Sequence, residues 1–189
     1  MQLITEYLVK RKMYRRLSQR NYAHNSIVDG NPSASTRNRL VNDQNGATGR
    51  LFKYGSFYAG WNACEAIAVH NAKVLNGIDS TLSETIKDFQ AAGAMIGHGV
   101  FGSNPYAIGR VLKAEGIEYS KVRLNDITRE GTYIISFWND NAFWKGLHTV
   151  AVRCKGRAFI AYNLRGDGKP CPITLSAYSK SYICGYRIK

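Results

Sequence analysis

With 189 residues, 44% of them hydrophobic, the chain is long enough for one well-cored domain and short for two. No apolar run approaches the roughly 20 residues of a membrane-spanning helix, and no apolar stretch ending in a small-residue cleavage site marks a signal peptide. The charge is lopsided, 26 Lys plus Arg against 13 Asp plus Glu, and the four cysteines (Cys64, Cys154, Cys171, Cys184) form no CxxC pair or zinc-finger cluster. That spacing argues against a structural metal, no cofactor is implied, and a reduced intracellular setting is the default expectation.

Residues 1–55 hold ten bases and three acids, which is +7 of the net +13. Leu3, Ile4, Tyr7, Leu8, Tyr14 and Leu17 recur at near-helical spacing with Lys10, Arg11, Lys12, Arg15 and Arg16 between them, the pattern of a basic amphipathic helix. Such an arm suits nucleic acid, an anionic membrane surface or an acidic protein partner, and specifies none of them. From Asn21 to Gly49 the chain is rich in Asn, Ser, Gly and Asp and reads as a linker or long loop. Residues 1–53 are therefore expected to be a basic extension, part helical or disordered, ahead of a folded domain over 54–189.

Asn62 with Glu65 three residues on resembles a capping box, and Gly77 supplies a stop. Cys64, Ile67, Ala68, Asn71, Val74 and Leu75 follow helical spacing between them, with Cys64 in the first turn and His70 in an exposed mid-helix position. A second helix is predicted after Thr81, with Glu84 completing its cap and Gly93 ending it. Asn104-Pro105 announces a third, closed by Gly116. From Ile117 the period shifts towards two, and Thr132–Trp138, His148–Cys154, Ala158–Leu164 and Ser181–Ile188 read as strands. Helices followed by an antiparallel sheet make an α+β chain.

Within "HTVAVRCKGRAFIAYNL", Lys155-Gly156 is a candidate two-residue turn. The register it predicts sets His148 opposite Asn163, Val150 opposite Ala161 and Val152 opposite Phe159 on the apolar core face, with Thr149, Ala151 and Arg153 pointing away. An imidazole held from behind by an amide is what a Cys/His nucleophilic site needs, because the holding group leaves one ring nitrogen to take the thiol proton. Cys64 suits the thiol, since a helix start offers unpaired N–H groups and the positive end of the dipole. Alone, a helix-stripe cysteine or a strand-start histidine reads as structural; together with Asn163 they favour catalysis. Gly97, Gly99 and Gly102 in "MIGHGVFGSNP" are candidates for a cleft wall.

On "WNACEAIAVHNAKVLNG", "FGSNPYAIGRVLKAEGIEY" and "GLHTVAVRCKGRAFIAYNL", residues 54 to 189 resemble the papain-like cysteine peptidases, specifically the C39-like group related to bacteriocin-leader proteases. The resemblance implies a papain-like fold, peptide or protein as substrate, an acyl-enzyme on Cys64, His148 as general base and Asn163 as the orienting residue. Two positions depart from that pattern. The Gln usually six residues before the nucleophile is Tyr58, and the Gly that often follows it is Glu65. Asn62 and Tyr58 are the candidates to replace the missing oxyanion donor. The departures also leave room for an acyl transferase, a toxin-type effector or a non-catalytic binding module that uses the basic arm.

Overall fold

In the computed structural model, which describes residues 2–142, 145–165 and 167–189, with side chains from residue 13 onward, the basic N-terminal pattern becomes helix α1 (Gln2–Gly30). It runs well past the stretch predicted from periodicity. The side chains of Leu3, Ile4, Tyr7, Leu8, Lys10, Arg11 and Lys12 lie outside the described residues, while Arg15, Arg16 and Arg20 are exposed and Tyr14 and Leu17 pack on the core. No described helix is long and apolar enough to cross a membrane.

The Asn-rich stretch after α1 is irregular but tied down. Asp29 accepts from the Thr36 N–H and hydroxyl and from the Ser83 N–H, and Asn25 exchanges two hydrogen bonds with the backbone of Lys53 (2.8 and 2.9 Å). Asn71 does the same for Val41, accepting from its N–H at 2.8 Å and donating to its carbonyl at 2.7 Å. Buried backbone groups need partners, and an amide side chain supplies a donor and an acceptor at once. Val41 and Phe52 are buried in the same apolar cluster as Ile67, Ile86 and Ile108, so residues on both sides of position 53 share one core.

Short helix α2 (Ala47–Leu51), strands β1 (Lys53–Tyr54) and β2 (Phe57–Tyr58) and helix α3 (Ala59–Asn62) lead into α4 (Cys64–Leu75). Ten consecutive residues of α4, Cys64 to Lys73, are buried, so it is a core helix covered all round and not a one-sided stripe. His70 is accordingly buried, correcting the expected exposure: Nε2–H donates to the Arg39 carbonyl and Nδ1 accepts from the Ser80 hydroxyl, each at 2.9 Å. Helix α5 (Leu82–Ala91) is capped as predicted, Thr81 accepting from the Glu84 N–H, and it packs on α1. Asn104 caps a 3-10 turn at Pro105–Ala107 that continues into α6 (Ile108–Ala114).

Burial of neutral His70 carries a pH dependence. Desolvation lowers its pKa from 6.5 to about 4, outweighing the Arg39 carbonyl and the Asp29 charge. The unfolded chain therefore binds this proton first, and the stability present above pH 6.5 is lost as pH falls through about 4, on the order of 3 kcal/mol. His70→Gln is expected to flatten that loss in urea titrations between pH 7 and 4; an unchanged slope would rule His70 out as its source.

The sheet holds six antiparallel strands, β3 (Tyr119–Val122), β4 (Gly131–Trp138), β5 (Leu147–Lys155), β6 (Ala158–Tyr162), β7 (Cys171–Ile173) and β8 (Tyr182–Ile188), in the order β3-β8-β4-β5-β6-β7. The fold is thus α+β. Both sheet faces are buried. Ile134, Ala151, Tyr186 and Ile188 join the helical core, whereas Ile135, Val150, Val152 and Ala161 form a second cluster with Leu124 and Ile127. Helix α4 lies against β5 on the Ala151 side, where small Thr149 and Ala151 let it approach. This reverses the expectation that Thr149 and Ala151 point away from the main core.

Candidate active site

The β5–β6 hairpin differs from the predicted register. Lys155 pairs with Ala158, so the turn is Gly156-Arg157, and Cys154 faces Phe159 while Val152 faces Ala161. A positive φ is adopted at the first central position, where Gly156 stands at +61° without strain. The displacement is two residues, so the side chains keep their faces and only their direct partners change. The last pair is Ala151 with Tyr162. Asn163 then leaves the strand at φ +64°, and its backbone carbonyl lies 2.7 Å from His148 Nε2.

That bond sets the tautomer. A carbonyl only accepts, so Nε2 carries the hydrogen and Nδ1 of the neutral ring is left with its lone pair. Phe137, opposite His148 in the sheet, meets the ring edge-on at 5.9 Å. Burial lowers the His148 pKa below its usual 6.5, with the Asn163 carbonyl opposing. The orienting group is therefore the backbone of Asn163 and not its side chain. The side-chain amide instead pairs with Gln44: Oδ1 accepts from the Gln44 N–H at 2.9 Å, and Nδ2 donates to Gln44 Oε1 at 3.2 Å. Gln44 in turn donates to the carbonyls of Ala59 and Gly60 on α3, so one glutamine joins β6 to the approach to α4.

Cys64 is the first residue of α4 and is 6% exposed. The break that makes this a helix start is Ala63, the residue between α3 and α4 (φ −103°, ψ 21°), and no side chain caps it. Asn62 is not the cap that its spacing to Glu65 predicts. It closes α3, and its amide donates to the Gly99 carbonyl, while its Oδ1 is buried without a hydrogen-bond partner among the described residues. Gly99, at φ +90°, brings the 97–102 loop this close; a Cβ there would lie 2.8 Å from the Asn62 amide nitrogen. The thiol donates to Glu65 Oε2 at 3.2 Å. Burial, then the Glu65 charge, push its pKa well above the usual value, and a hydrogen bond from the backbone of Thr149, next to His148, pulls it down. Cysteine and histidine are thus both neutral at rest.

Cys64, His148, Asn163 and Asn62 all line one cleft of about 1010 Å³. Tyr58, the other candidate oxyanion donor, is not among the lining residues: it is 53% exposed on β2, with the Lys53 ammonium 6.0 Å from its ring. The predicted glycine segment does form a wall, where Ile96, Val100 and Phe101 stand beside Trp61 and Tyr106; Phe101 is 75% and Trp61 72% exposed. Lys145 and Arg165 also line the cleft. Its outer support is α1, whose Tyr14 stacks on His98 with ring centroids 4.7 Å apart. Sequence reasoning missed Gln44, which sits in the turn-like "NDQNG", and gave Glu65 as a capping residue and a family departure, not as a partner of the thiol. Comparison with known proteins finds no matching family model and no curated protein with significant similarity.

Proposed function

We propose that the chain is a cysteine hydrolase with a papain-like arrangement, cleaving peptide bonds through an acyl-enzyme on Cys64. The observation that supports it best is the His148 ring, fixed by a backbone carbonyl so that Nδ1 is the free base, on the same cleft as a thiol at a helix start. His148 Nδ1 takes the thiol proton as sulfur attacks the carbonyl carbon. The tetrahedral oxyanion is received by the Cys64 N–H at the start of α4, with the second amide hydrogen of Asn62 as the side-chain donor. Collapse breaks the C–N bond, the imidazolium gives its proton to the departing amine, and the acyl group stays as a thioester. Water, deprotonated by the same nitrogen, then releases the acid and restores the thiol. Exposed Trp61, Phe101 and Tyr106 suit apolar side chains of an extended peptide, and Lys145 and Arg165 suit acidic ones.

The full chain is to be incubated with a mixed peptide library, with new termini read by mass spectrometry. Cys64→Ala is expected to lower cleavage by about 10³-fold or more. A peptidyl epoxide should label Cys64 ahead of Cys154, Cys171 and Cys184. Cleavage that survives Cys64→Ala, or labelling no faster at Cys64 than at partly exposed Cys184, would defeat the proposal.

A further inference from the structure

The residue after the nucleophile is a carboxylate that the hydrolytic steps above do not use. Glu65 is 1% exposed at the second position of α4, lines the cleft and accepts the Cys64 S–H at 3.2 Å. The titratable groups around it are Cys64 on its own helix, Tyr54 from β1 and Cys184 from β8, with Ser103 from the cleft wall as a hydrogen-bonding neighbour. None is a cation, and Glu65 joins no ion pair among the described residues. A carboxylate in this place rewards the thiol, which donates to it, and opposes the thiolate, since two anions in contact within a poorly solvated site repel strongly.

We infer that Glu65 is a titratable restraint on the nucleophile: ionised, it holds Cys64 as a thiol, and protonated, it becomes a donor that stabilises the thiolate. The catalytic meaning of this rests on the hydrolase reading; the restraint itself does not. Burial pushes the Glu65 carboxyl up to about 7, with its own backbone N–H, the Cys64 thiol and the Ser103 backbone pulling down. His148 stays neutral to below its usual 6.5. Between these two titrations the base is free and the restraint is off. Turnover is therefore expected to peak on the acid side of neutrality and to fall as pH rises through about 7.

The test is alkylation of the full chain by iodoacetamide from pH 5 to 9, followed on the tryptic peptide 54–73, in wild type and Glu65→Gln. The variant keeps the shape of the side chain and removes its charge. Cys64 is expected to react about tenfold faster or more at pH 7.5, which is a fall of one unit or more in thiol pKa, with Cys154 and Cys171 still protected. Equal or slower alkylation in the variant overturns the inference. If Cys154 and Cys171 also become reactive, the variant has lost its fold and wild-type alkylation decides. Cys64 at or below the reactivity of a free thiol across pH 7 to 9 upholds the restraint, and faster reaction overturns it. A restraint seen by alkylation in a chain that cleaves nothing removes the hydrolase reading alone; cleavage with a profile indifferent to Glu65→Gln removes the restraint alone.

Discussion

On the proposed hydrolase reading, His148→Ala is expected to lower peptide cleavage by about 10²- to 10⁴-fold, the range for loss of a positioned general base, whereas Asn163→Gly is expected to stay within about tenfold of wild type. The contrast follows from which atom holds the ring. His148 Nε2 meets the backbone carbonyl of Asn163, and glycine keeps that carbonyl and adopts φ +64° more readily than asparagine does. What the glycine variant loses is the pair of bonds to Gln44, which steady the segment without touching the imidazole. Steady-state rates on one cleaved peptide settle it. If Asn163→Gly is as damaging as His148→Ala, the ring depends on the side-chain amide after all and the geometry described above is not the working one.

The largest expected loss of stability from a polar substitution is at Asn71. Its side chain satisfies both the N–H and the carbonyl of Val41, and all three groups are buried. Asn71→Ala leaves two buried backbone groups unpaired, which costs about 2–4 kcal/mol. Because the lost tie holds the 31–46 segment, amide exchange around Val41 should accelerate more than exchange in β4 and β5. A shift of the urea midpoint worth under about 1 kcal/mol would mean that water replaces the side chain there.

Much of the helical half was legible in the sequence because its signals are local. Thr81 with Glu84 and Asn104-Pro105 act over three residues, and both operate as caps in the structure. Asn62 with Glu65 has the same spacing and fails, since the acid is drawn to the Cys64 sulfur and the asparagine to the 97–102 loop. That competition is tertiary and leaves no trace in spacing. The same holds for asparagines 21, 25 and 71: asparagine is a turn former by local preference, yet here it is a buried tie between distant backbones. A stretch that composition marks as linker is thus part of the core. In the hairpin, alternation identified which residues share a face, because that grouping survives a two-residue slip; which face meets the helices was read the wrong way round, and the partner of His148 did not survive the slip.

The ends of the sheet have a consequence of their own. A six-stranded sheet has two open rims, each a row of unpaired backbone groups on which another chain can add. Here the rims are β3 and β7, the one four residues long with Lys121 exposed, the other three residues long with Pro172 at its centre. A lysine resists being buried by an incoming strand, and a proline offers it no N–H. The long, apolar strands β4, β5 and β8 are kept inside. The arrangement guards against edge-to-edge polymerisation while leaving the cleft, which opens beside β5, uncovered.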